Sequence, residues 1–145
     1  MHRYISIIFL FSLITSAEAS EMNWKQFHIT IHNIEVERGG EMGVYLFLEK
    51  GFPIKHEQAI KHYRFEVSST THELMIEVPD QPFALKAHHD EDRSGTVTKN
   101  WTGIIPAEGF GFSSGARMRF GPPSFKQAAI SLPDNQATIL NMIYP

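Results

Sequence analysis

The run His89-Asp90-Glu91-Asp92-Arg93-Ser94-Gly95-Thr96-Val97-Thr98 places oxygen-bearing side chains at alternate positions and then a glycine. It reads D-x-D-x-S-G-x-V, the first half of a calcium-binding loop. A hard cation needs several converging oxygens, and positions one, three and five of such a loop supply three of them. Here these are Asp90, Asp92 and Ser94. Gly95 follows where the chain must turn, and Thr96 would offer its backbone carbonyl. Val97 can anchor the loop to a core, and Thr98 can act directly or through water. Position twelve breaks the pattern, because Trp101 stands where a bidentate Glu is needed. The missing carboxylate must come from elsewhere, and Glu108 is the candidate. Without it, two carboxylates make a weak site in the ~10⁻⁴–10⁻³ M range of extracellular modules. The competing reading is a polar turn in which Asp90 and Asp92 accept backbone N–H bonds and hold no ion. A calcium-like ion is the one cofactor the residues imply.

The histidines support a transition metal less well. His88 and His89 are neighbours on what reads as a strand, so their side chains leave opposite faces and cannot share one ion. His28 and His32 share a face but stand ~13 Å apart at ~3.3 Å per residue. His89, beside Asp90, reads as a structural hydrogen-bond partner. With no cysteine in the chain, thiolate chemistry, disulfides and Cys-based zinc sites are excluded.

These residues need a scaffold, and the rest of the chain reads as strands. Phe27–His32 alternates, with Phe27, Ile29 and Ile31 inward. Residues 43–48 are apolar on both faces, as in a covered central strand. Gly39-Gly40 reads as a hairpin turn, and residues 54–61 as a helical turn or surface loop. Residues 63–67 and 72–78 alternate, and 83–89 follow as a strand running straight into the acidic loop. Residues 126–132 and 137–144 resume alternation around a turn at Asp134-Asn135. Between Asp90 and Pro123 lies a long Gly/Pro-rich loop with no regular pattern. Within it, Glu108-Gly109-Phe110-Gly111-Phe112-Ser113 sets two aromatics between glycines. Phe110 and Phe112 would plug the open end of the fold with Glu108 as anchor, or form an aromatic ledge for a glycan or peptide. Arg117 and Arg119 would pair with Glu108 or with an acidic ligand. The expected architecture is all-β: one antiparallel β-sandwich, immunoglobulin-like or transthyretin-like, over residues 20–145.

Residues 1–19 read as a secretory signal peptide. A basic start precedes an apolar run too short to span a bilayer, and Ala17-Glu18-Ala19 supplies the cleavage pattern. Cleavage near Ala19 would deliver the chain to the periplasm or the medium. A formal net charge of -3 with dispersed charges argues against nucleic acid and anionic membranes as partners.

The segment Phe83–Leu132 resembles a secreted bacterial family catalogued as domain of unknown function 2141. The likeness rests on three ordered blocks: Phe83-Ala84-Leu85 with His89-Asp90-Glu91-Asp92 and Ser94-Gly95; Pro106-Ala107-Glu108-Gly109-Phe110-Gly111-Phe112-Ser113; and Pro123-Ser124-Phe125-Lys126-Gln127-Ala128-Ala129. They are similar to H-D-E-N-x-N-G, P-x-E-G-x-G-F-S and P-S-F-x-x-A. Asp92 and Ser94 stand where that family often has Asn, and Thr98 where it often has an acid. Gly103 sits one residue further from Pro106 than that pattern has it. The resemblance implies an exported β-sandwich and no reaction.

Three functions follow as expectations. The leading one is a non-enzymatic binding or accessory module with a loop-ordering ion. The second is a metal-assisted hydrolase using Asp90, Asp92 and Glu108 with His89 as general base. The third is a component of an envelope complex that pairs through an exposed strand edge.

Overall fold

The computed structural model describes residues 22–132 and 136–145. The leader expected over residues 1–19 and the turn expected at Asp134-Asn135 lie outside them. Seven strands follow in order: β1 (Trp24–His32), β2 (Glu41–Phe47), β3 (Lys61–Glu66), β4 (His72–Pro79), β5 (Ala84–Asp90), β6 (Gly109–Phe112) and β7 (Ala137–Asn141). One short helix, α1 (Phe125–Ala128), precedes β7. The strands form two sheets, ordered β4-β1-β7 and β3-β2-β5-β6.

The all-β sandwich expected from the alternation is the fold. One pairing differs from an antiparallel design: β1 and β7 run parallel, with Ile31 opposite Leu140. The chain reaches β7 from β6, which lies in the other sheet. Gly39-Gly40 is a crossing too and makes no hairpin, because β1 and β2 lie in different sheets. Both glycines have positive φ. Residues His56–Gln58 form a single 3-10 turn.

The core lies between the sheets. Phe27, Ile29 and Ile31 of β1 meet Met42, Val44, Leu46, Leu85 and Ala87. Phe27 packs edge-on to Phe83 at 5.3 Å. On β7 and beyond, Leu140 and Met142 are buried while Ile139 and Ile143 are half exposed, as the alternation predicts.

All seven residues of β5 are buried, and so are the six from Met42 to Phe47 in β2. Both faces of the β2–β5 pair are therefore covered. One faces the opposite sheet, and loops close over the other. An antiparallel sheet commonly leaves one face to water; over β2 and β5 this one does not, while β3 keeps alternate residues exposed.

Two expectations fail between residues 108 and 132. The block Gly109–Phe112 is strand β6, paired with β5 so that Phe110 faces His88 and Phe112 faces Lys86. Its inner face is glycine for a steric reason. A Cβ on Gly109 would lie 2.3 Å from the Tyr144 ring, and one on Gly111 would lie 3.0 Å from the Asn141 carbonyl oxygen. The strand expected over residues 126–132 is instead helix α1 followed by an isolated bridge from Ile130 to Phe83. Ser124 and Gln127 form a reciprocal capping box that starts the helix.

Candidate metal centre

Strand β5 delivers its last residues to one end of the sandwich with alternate orientation. Lys86, His88 and Asp90 leave the outer face of the sheet, and Ala87 and His89 the inner one. His89 is held at both ring nitrogens. Its Nε2–H donates to the Gly39 carbonyl at 2.5 Å, so its Nδ1 accepts from the Tyr144 hydroxyl at 2.8 Å. That hydroxyl oxygen accepts from the Glu35 N–H at 3.1 Å. Arg38 lies 4.7 Å over the Tyr144 ring and ties Glu35 to Glu91. With both nitrogens engaged inside the sandwich, His89 is the structural partner expected and cannot serve as a general base toward the carboxylates.

The chain then turns sharply. Arg93 and Gly95 have positive φ. This aims the Ser94 and Gly95 N–H groups back at Asp90, whose two oxygens accept them at 2.9 and 2.7 Å. Asp92 accepts from Ser94 N–H at 3.0 Å and from the Thr98 hydroxyl at 2.7 Å. These bonds hold the Asp92 carboxyl down at about 2. Outside the turn, Arg93 forks onto Glu66 at the end of β3.

Glu108, the residue before β6, arrives from across the Gly/Pro-rich loop and is buried. One oxygen accepts from the Glu91 N–H at 3.2 Å, and the other from the Thr98 N–H at 2.8 Å. The second oxygen also meets His88 Nε2 at 2.7 Å. Burial pushes the His88 pKa down to about 4, so its ring is neutral and Nε2–H donates. Its Nδ1 is then a buried acceptor with no partner. Desolvation, with Asp92 and Asp90 nearby, raises the Glu108 pKa above that of an ordinary carboxylate.

One oxygen each from Asp90, Asp92 and Glu108 lies within 4.8 Å of the others. The carboxylate missing from position twelve is thus brought in by β6. Each carboxylate is anchored by N–H or O–H donors, so its orientation is set. Ser94 and Thr96 are not drawn into this group in the same way. The Ser94 hydroxyl donates to the Thr96 carbonyl at 2.9 Å, so the two expected ligands engage each other. Trp101 is 95% exposed and takes no part. Arg117 and Arg119 make no ion pair among the described residues, and neither reaches Glu108.

An uncharacterised family conserved in bacteria, DUF2141, matches residues 29–140. The chain belongs to this family. Neither a search of curated proteins nor one of solved structures finds a match. The DUF2141 match covers all three carboxylates and every strand except the start of β1 and the end of β7. Membership brings no reaction, partner or ligand with it. Among the described residues, no helix is long and apolar enough to cross a membrane.

Sequence reading missed the roles of His88 and Lys86. From the sequence His88 reads only as half of a metal-binding pair, yet its Nε2 meets the Glu108 carboxylate at 2.7 Å. Lys86 is one polar residue in the strand read over 83–89, with no local sign that its amine is buried. The signal available was the pairing of an outer-face His and Lys with the F-x-F of residues 110–112, legible only once those residues are seen as a strand.

Proposed function

We propose that this chain is an exported, non-enzymatic binding module whose Asp90–Thr98 loop is ordered by a hard divalent cation of calcium type. The observation that carries the reading is the convergence of Asp90, Asp92 and Glu108 on one point. Three anionic oxygens so close repel one another, and a divalent cation turns that repulsion into attraction. Apart from the Glu108 oxygen that takes both His88 and Thr98, each anchored oxygen accepts a single bond and keeps a lone pair for the ion. The backbone carbonyl of Thr96 would join by turning from the Ser94 hydroxyl, with water completing the shell.

The bonds already present keep the loop folded, so the ion acts on an existing arrangement. It binds the native state and raises stability in proportion to the logarithm of its concentration over Kd. The test is thermal melting of the purified protein in chelator and in millimolar calcium, with Asp92→Asn alongside. We expect Tm to rise by several degrees for wild type and by much less for the variant. An unchanged wild-type Tm in 5 mM calcium would sink the cation reading, that concentration being above the ~10⁻³ M ceiling for extracellular modules.

A further inference from the structure

A cavity of about 700 Å³ opens on the outer face of the second sheet, over β5 and β6. Its lining is mainly apolar and includes Pro53, Val97, Ile104, Phe110 and Phe112. At its floor is Lys86, only 4% exposed. The ammonium donates to the Pro53 carbonyl at 2.9 Å and to His56 Nε2 at 2.7 Å, and sits 4.7 Å over the Phe110 ring. His56 stacks on Tyr45 at 4.0 Å, and burial beside Lys86 keeps it neutral, its pKa pushed down to about 3.

No carboxylate lies within ion-pair distance of Lys86 among the described residues; every other ion pair there uses a different cation. A lysine this buried is normally paired, because an unpartnered charge in a low-dielectric site is costly. Lys86 has two acceptors and a third N–H to give. The charges at the rim, Glu57 and Lys99, are opposite in sign and exposed, so they set no net field of their own. The cavity volume lies within the range of small-molecule sites, which are mostly apolar with a few placed polar groups.

We propose that this cavity binds a small apolar carboxylic acid, its hydrocarbon body against Phe110, Phe112 and Val97 and its carboxylate on the Lys86 ammonium. The missing counter-ion is then part of the ligand. Selectivity has two parts: the apolar wall rejects small hydrophilic anions, and the buried ammonium rejects neutral apolar molecules that leave it unpaired. Gly95, Thr96 and Val97 line this cavity and belong to the acidic loop. This inference names the ligand class of the binding module and rests on that reading.

The experiment is calorimetric titration of the protein with octanoate, 1-octanol and acetate, in calcium and again in chelator. Octanoate should bind at least tenfold tighter than octanol, and acetate should not bind measurably. Lys86→Met should remove the preference for octanoate while keeping octanol binding. Ile104→Glu, at a position 79% exposed on the cavity wall, should weaken octanoate by charge repulsion without touching the core. Equal binding of octanoate and octanol, binding of acetate as strong as octanoate, or no heat with any of the three overturns the proposal. A calcium melt without effect beside intact octanoate selectivity defeats the cation reading alone. An intact calcium shift beside absent selectivity defeats this one alone.

Discussion

Glu108 carries two opposed demands: it is buried against His88 and it faces two aspartates. Its raised pKa has a definite consequence for pH dependence. In chelator, a group whose folded pKa exceeds its unfolded value stabilises the fold below the unfolded pKa. That contribution is lost as pH rises through the folded pKa. Calcium requires the ionised form, so its effect has the opposite slope. The calcium-induced rise in Tm should shrink as pH is lowered from 7 toward 5, earlier than for a site of ordinary carboxylates. Glu108→Gln should abolish the rise at every pH, read by melting across a pH series. Lys86 gives the second residue-scale prediction. Burial lowers its pKa from 10.5 to about 7, a penalty on the order of 5 kcal/mol for charging it in the fold at 1.36 kcal/mol per unit. The unfolded chain binds the extra proton between those two values, so stability rises with pH from about 7 toward 10.5. Lys86→Met should be more stable than wild type at pH 7 by about 1–3 kcal/mol, as when buried charges are replaced by apolar groups. It should also lose that alkaline gain, as measured by urea unfolding at pH 7 and pH 10. A residue that costs stability where it stands is kept for something other than stability.

Among the elements, β6 is the decisive one, because it brings Glu108 to the loop and Phe110 and Phe112 to the cavity. Its glycines are there to let the chain beyond β7 pass. Gly109→Ala forces a methyl against the Tyr144 ring at 2.3 Å, so a loss of about 1–3 kcal/mol is expected, the usual cost of overpacking. It should also weaken calcium binding, because Tyr144 positions His89 at the base of the loop. Ser124→Ala removes the cap of α1 and should cost about 1 kcal/mol while leaving calcium binding unchanged. Urea unfolding combined with calcium titration separates the two. Strands with strict alternation, such as Phe27–His32 and His72–Val78, were legible because one face is core and the other is water. Strand β6 was not, because glycine contributes nothing to a hydrophobic pattern and here replaces one whole face. Residues 126–132 misled for the converse reason: their alternation comes from one helical turn followed by one bridging residue. Half of the candidate ion site was local and readable from D-x-D-x-S-G. The other half depended on a pairing across the Gly/Pro-rich loop, and Glu108 was identifiable only as the nearest spare carboxylate. Lys86 was opaque, since nothing local tells a buried amine from a solvated one.

At the scale of the whole molecule, two sheets share a core, and one of them carries a covered outer face. The cover over that face includes the acidic loop, so ordering the loop with calcium should protect it. Limited proteolysis in chelator should cut between residues 91 and 107 sooner than in calcium, with the strands outlasting both. Equal cutting rates in the two conditions would count against the coupling of ion and cover. The contact of Gly40 with this loop has a kinetic consequence. A Cβ there would lie 2.3 Å from the Asp90 carbonyl oxygen and 2.7 Å from the Glu91 Cα. The crossing from β1 to β2 is therefore pressed backbone to backbone against the start of the acidic turn. The turn's partners Glu66, Glu108 and Gly40 all flank strands of the β3-β2-β5-β6 sheet, so the turn takes its shape once that sheet has paired, and a calcium ion would meet an assembled sheet. On the proposed reading the ion would be a latch and not a seed: in a chevron experiment, calcium should leave the refolding arm where it is and lower the unfolding arm.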